Sequence, residues 1–413
     1  TALTLLTNLS VLGLGTVSGI LLSRALGATG RGDLVPAQVI PMILGLLSSL
    51  GMNEAVSFTV SRSADDGAAR VLLVNGCCLA LFGSVVASGI AFFLLPVVLP
   101  GERQEVVRAS QIALLYGIGM SQVMVVQGWF RGRGAMFAWN AFRVLPGACW
   151  AIGVAVVAAS GASVFRASIA LGASALASGF LAVLSVRHEL SGRVSKATLG
   201  DLLRFGAPAA GSTVPRALNT SFDQVFLLPF TSPEQLGGYA TAVSWSNVVS
   251  PISTASIMTK FKQIATSDPA TRLRLVLAAL RKAAALSSLV ALSVAAVTPL
   301  LYPLVFGESY RSSVKVAIAM AGVAGLLAMK DSVTHCLWAC GEPRLLLASD
   351  LLALGVTLLG LLVLGPQLGV WGAVIASGLA YLVAATTGFA LLRRRLQQSV
   401  PRQLGPVTSM GSD

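Results

Sequence analysis

Residues 71–99 read VLLVNGCCLALFGSVVASGIAFFLLPVVL, without one charged side chain. Wound as an α-helix, the stretch is about 43 Å long at ~1.5 Å per residue, more than the ~30 Å of hydrocarbon in a bilayer. Inside lipid every backbone amide must find its partner within the segment, so a membrane-spanning helix is expected.

Similar runs recur on both sides. Twelve spans are expected, at residues 3–22, 34–60, 71–99, 109–130, 136–159, 164–186, 202–230, 236–258, 275–305, 316–340, 345–364 and 368–392. Short polar or Gly/Pro segments such as 62–70 and 231–234 separate them. The longest breaks, near 187–201 and 260–274, are too short for a soluble domain. Composition agrees: of 413 residues, 55% are hydrophobic and 11% charged, too few charges to coat a globular core. The chain begins at Thr1, and its first span is expected to be retained. It has full spanning length and no small-residue cleavage site after a basic start.

The net charge of +13 raises the question of nucleic acid, and its distribution answers it. With loops assigned to alternate sides, nineteen Lys and Arg fall on one side and seven on the other. The last three of the 29, Arg143, Arg216 and Lys330, lie inside spans. Such asymmetry is an orientation signal that places both termini in the cytoplasm, and no nucleic-acid role is expected. The five cysteines (Cys77, Cys78, Cys149, Cys336, Cys340) all fall in apolar spans without zinc-spaced partners, so they read as buried free thiols. Neither a metal nor another cofactor is expected.

The chain also repeats itself. Gly32 recurs as Gly238, Gly101-Glu102 as Gly307-Glu308, and Val164-Phe-x-Ala-x-Ile169 as Val370-Trp-x-Ala-x-Ile375, all at an offset of 206. Trp129-x-x-Gly132 recurs as Trp338-x-x-Gly341 at 209. Six spans per repeat is an even number, so both halves enter the membrane from the same side. The expected fold is an all-α integral membrane protein of twelve transmembrane helices, in two six-helix lobes related by a parallel pseudo-two-fold axis. The lobes are residues 1–190 and 202–395, with a cytoplasmic linker at 191–201 and a polar cytoplasmic tail at 396–413. Transporters of this kind place substrate between the halves and rock one against the other. No phosphate-binding G-x-x-x-x-G-K-[ST] loop occurs, so any driving force comes from a gradient or the membrane potential.

Ionisable groups inside spans are expensive and default to function or pairing. In the seventh span Arg216, Asn219, Thr220 and Asp223 share one helical face. They suit a cation holding an anionic head group, with Asp223 as counter-ion or proton site; a purely structural Arg–Asp pair is the competing explanation. Pro208 and Pro215 are expected to kink this helix. In the tenth span, Asp331 and His335 are candidates for ion or proton coupling, while Lys330 and Asp331 read as neutralising each other. Arg143 is deep enough to want a wet cavity, with Glu54 and Asp350 as partners or as coupling groups. Arg24, at the outer end of the first span, either snorkels or guards a cavity mouth. No catalytic set is visible, so an enzyme is not expected. A non-transporting scaffold would not need charges mid-span.

Several junctions resemble a known family. Leu22-Ser-Arg-Ala-Leu-Gly-Ala-Thr-Gly-Arg-Gly-Asp33 resembles the junction after the first helix of O-antigen and exopolysaccharide flippases. Phe222-Asp-Gln-Val-Phe-Leu227 with Leu236-Gly-Gly-Tyr-Ala-Thr-Ala242 is similar to the start of their second half, and Leu301-Tyr-Pro-Leu-Val-Phe-Gly-Glu-Ser-Tyr310 to the end of their ninth helix. The resemblance implies a flippase of the multidrug/oligosaccharidyl-lipid/polysaccharide superfamily. Such proteins move polyprenyl-pyrophosphate-linked oligosaccharide from the inner to the outer face of the bacterial plasma membrane. It further implies a monomer beside membrane lipids and a polysaccharide polymerase, with a cationic cavity whose candidates by position are Arg24, Arg143 and Arg216. Lipid II flippases share the first junction but usually carry two further helices, which this chain lacks. The alternative is an exporter of drugs coupled to H⁺ or Na⁺, for which Glu54, Asp223 and Asp350 would supply carboxylates.

Overall fold

The computed structural model describes residues 2–63, 65–99 and 103–399. Among them every regular element is helical. The α-helices are α1 (Ala2–Asp33), α2 (Val35–Ser48), α3 (Met52–Ser61), α4 (Asp66–Val98), α5 (Gln104–Ala113), α6 (Leu115–Gly132), α7 (Met136–Ser160) and α8 (Val164–Ser185). They continue as α9 (Lys196–Phe226), α10 (Pro233–Ser246), α11 (Val249–Met258), α12 (Phe261–Thr266), α13 (Pro269–Phe306), α14 (Val314–Ala339), α15 (Pro343–Leu368) and α16 (Val370–Ser399).

Among the described residues ten helical stretches are long and apolar enough to cross a membrane, so the chain is a multi-pass membrane protein. They match ten of the twelve expected spans; the seventh and eighth are not among them. Those two are helical, as α9 and as α10 with α11, but their polar side chains dilute the apolar surface. Gly101 and Glu102, one member of the sequence repeat, lie outside the described residues, as does the tail from residue 400 onward. Its counterpart Gly307 sits at φ 107°, where glycine is favoured, and turns the chain out of α13.

Three passes are broken in the middle. Leu50 (φ 48°) and Gly51 (φ 68°) separate α2 from α3. Leu114 separates α5 from α6, and Asn247–Val248 separate α10 from α11. By contrast α9 runs continuously from Lys196 to Phe226, so no break occurs at 208 or 215. The side chain of Pro208 lies outside the described ones.

α1 to α8 pack chiefly among themselves, α6 being embraced by α3, α4 and α8. α9 to α16 do the same around α14, which touches α11, α13 and α16. The largest contacts between the groups are those of α1 along α10 and of α9 against α2, α3 and α4, with smaller ones from α1 to α13 and from α2 to α10. Glycines allow the close approach that dispersion forces need in lipid, as where Gly45 meets Gly117.

Candidate functional site

α1 does not stop at residue 22. At Gly27 its backbone leaves helical geometry (φ 66°, ψ 179°) and then winds on to Asp33. That extension presses on α10. A Cβ at Gly32 would lie 1.7 Å from the Pro233 carbonyl oxygen, and one at Gly237 would lie 1.9 Å from that of Ala28. Gly238, the repeat partner of Gly32, abuts a side chain instead, that of Ser313. Only glycine permits backbones this close, so the two groups of helices are sealed together at this end. Tyr310 reinforces the seal by donating from its hydroxyl to the Ser23 carbonyl at 3.2 Å.

Beneath the seal lies a cavity of about 540 Å³, walled by α1, α2, α6, α7 and α8 on one side and α9, α10, α14 and α16 on the other. Its lining is mostly apolar and hydroxylic, with two charges, Arg31 and Asp223. Arg31 is only 8% exposed and donates from Nη1 to the Gln38 side chain. Its Nε–H has no partner among the described residues. A buried cationic donor without an acceptor is costly, and an acceptor entering the cavity would relieve that cost. Asp223, buried opposite, accepts from the Tyr239 hydroxyl and, at 2.8 Å, from the Gln224 amide.

Arg31 lies beyond the expected end of the first span at Leu22, where the sequence alone places a loop, so it is not among the residues that the sequence points to. The signal was a second glycine-bounded turn, Gly27 to Gly32, followed by Gln38 on the next helix. Of the sequence candidates, Asp223 lines the cavity. Asn219 is buried beside it, accepting from the Thr357 hydroxyl. Arg24 is exposed and donates from Nε to the Val305 carbonyl at 2.7 Å, tying α1 to the end of α13. Arg143 donates to Asn8 at 2.8 Å and stacks 4.9 Å from the Trp139 ring centre.

The expected pairings are redistributed. Arg216 pairs with Asp331 at 3.0 Å and not with Asp223, since i to i+7 is a rise of about 10.5 Å along one helix. Ser250 donates to the other Asp331 oxygen at 2.9 Å. Lys330 pairs with Asp350 at 2.5 Å and not with Asp331, because adjacent helical residues point to different faces. Glu54 lies 3.9 Å from Arg131, leaving neither carboxylate for Arg143. His335 Nδ1 sits 2.6 Å from the backbone carbonyl of Asp331, not from its carboxylate. No group of three His, Cys, Asp or Glu side chains converges as a metal site among the described residues.

Residues 1–261 match the family model described as polysaccharide biosynthesis protein. No curated protein matches the chain. Among solved structures it resembles an inward-facing multidrug resistance MATE family transporter of the MOP superfamily, at TM-score 0.74 and 17% identity, covering 94% of this chain and 95% of that one. It resembles the lipid II flippase MurJ in an inward closed conformation at TM-score 0.82 and 11% identity, covering 97% and 90%. It also resembles a MOP superfamily transporter from Pyrococcus furiosus, described as having a binding pocket of reverse polarity, at TM-score 0.60 and 18% identity, covering 96% of each. At these identities the likeness establishes a shared transporter fold.

Proposed function

Since the chain belongs to the polysaccharide biosynthesis protein family, we propose that it is a flippase for cell-surface polysaccharide synthesis. It moves polyprenyl-pyrophosphate-linked oligosaccharide from the inner to the outer leaflet of a bacterial plasma membrane by alternating access. In this reading α9 and the α10–α11 pair complete twelve spans, in two six-helix lobes related by a parallel two-fold. Both termini are cytoplasmic, so the α1–α10 seal faces outward. Along the opposite half of α1, Leu6, Leu9, Val11 and Val17 are exposed, and Gly13, Gly15 and Gly19 face open space. That uncovered stretch suits entry of a lipid whose tail stays in the bilayer.

The observation that carries the reading is Arg31. A planar guanidinium with a free N–H, buried under a closed seal, is matched to a diphosphate, which offers two oxygens to its fork. Arg143, tethered to Asn8 on the uncovered half of α1, is the approach cation. Arg24 latches the outer end, and Arg216 answers Asp331 within the second lobe. Glu54, Asp331, His335 and Asp350 are the candidates for coupling. The three carboxylates already face cations, so coupling means opening a pair.

Flipping of a fluorescent lipid-linked oligosaccharide in vesicles tests this. Arg31→Ala is expected to lower the rate at least tenfold, with Arg31→Lys partly active and the amount of inserted protein unchanged. Undiminished flipping by Arg31→Ala removes the reading. A second reading, an ion-coupled drug exporter, is favoured by Asp223 in the same cavity. It requires Asp223→Asn to abolish uptake of a cationic dye and Arg31→Ala to leave it intact.

A further inference from the structure

A second recess lies outside the central cavity, on the apolar surface where α7 and α8 run side by side, with a volume of about 540 Å³. On α7 its lining runs at helical spacing from Cys149 through Gly153 to Ser160, and on α8 from Arg166 through Ala173 to Ala177. Small side chains form the floor. The rims, Ile152, Val156 and Ile169, are 66%, 60% and 44% exposed, so the groove opens towards the bilayer.

Two properties restrict what fills it. From Cys149 to Ser160 is eleven helical steps, about 16 Å, close to half of the ~30 Å hydrocarbon layer. The groove is therefore one leaflet deep. At its membrane-surface end stands Arg166, exposed, with Nη1 donating to the carbonyls of Ser160 at 2.5 Å and Gly161 at 2.8 Å. Those bonds hold the guanidinium at the mouth and leave Nε and Nη2 without a partner among the described residues. A cation at the interface above a one-leaflet apolar trough matches a phosphate above an acyl chain. A long polyprenyl chain would overrun it.

We propose that this groove binds one anionic phospholipid from the leaflet at that end, its phosphate on Arg166 and one acyl chain between α7 and α8. The lipid would back the wall of the central cavity, since Ser174 lines both the groove and that cavity. The site does not depend on which molecule the cavity carries.

The test uses the full-length protein in nanodiscs of equal phosphatidylglycerol and phosphatidylcholine, with retained lipid read by native mass spectrometry. The wild type is expected to retain one phosphatidylglycerol, at roughly five-fold preference, the selectivity of one arginine at an anionic surface. Arg166→Gln should bring that preference to about one while a lipid is still held. Ala173→Leu or Ala177→Leu, which fill the trough, should lose the lipid. Equal retention in the leucine variants, unchanged preference in Arg166→Gln, or a retained polyprenyl phosphate in place of the phospholipid would overturn the proposal. The Arg166→Gln arm needs no repacking, so it decides even if the leucine variants fail to fold.

Discussion

The side chains of Lys330 and Asp350 are 2% and 3% exposed and 2.5 Å apart, so among the described residues each charge has only the other to replace water. Removing one partner of such a pair costs about 3–5 kcal/mol, whereas exchanging both for apolar groups can be neutral. Lys330→Met is therefore expected to lower thermal stability in detergent sharply, and Lys330→Met with Asp350→Leu to recover most of it. A single variant as stable as wild type would show that the pair is not held dry. The sequence could name these residues but not their partners. Lys330 and Asp331 look paired on paper, yet adjacent positions on α14 diverge, one towards α15 and the other towards Arg216 on α9. Arg31 is the same problem in stronger form. Charge counting assigns an arginine beyond an apolar run to a loop, and only the contact with α10, distant in sequence, makes it a cavity residue.

At the scale of elements, long apolar runs were legible because lipid leaves the backbone a single solution. Their ends were less so. α9 begins at Lys196 and α13 at Pro269, since a helix needs no apolar side chains once it leaves the hydrocarbon. The α1–α10 contact was foreshadowed only by Gly32 and Gly238 occupying matched places in the repeat. Its tightness makes a direct prediction. Gly237→Val puts a Cβ 1.9 Å from the Ala28 carbonyl, so the two helices must part. Spin labels on the ends of α1 and α10 should report a longer or broader distance distribution in this variant. An unchanged narrow distribution would mean that the seal tolerates a side chain.

For the molecule as a whole, the flippase reading requires the two sets of helices, joined chiefly by α1 on α10 and by α9 on α2, α3 and α4, to move relative to one another. Ser23 and Thr241 place their hydroxyl oxygens 3.5 Å apart across the seal. In a background without the native cysteines, Ser23→Cys with Thr241→Cys is expected to cross-link on oxidation and stop transport, and reductant should restore it. Full activity of the oxidised protein would show that the seal never opens in the cycle. The backbone at Gly27 bears on how far that motion reaches. It divides α1 into a short clamped tip and a long shaft of about 25 residues, or roughly 38 Å. With that end held at the tip and at Ser23 and Arg24, a swing of only about 10° would sweep the foot of the shaft some 6 Å sideways. In the flippase reading, the non-helical turn at Gly27 would let a small torsional adjustment near the clamped end displace the far end of α1 by the width of an acyl chain.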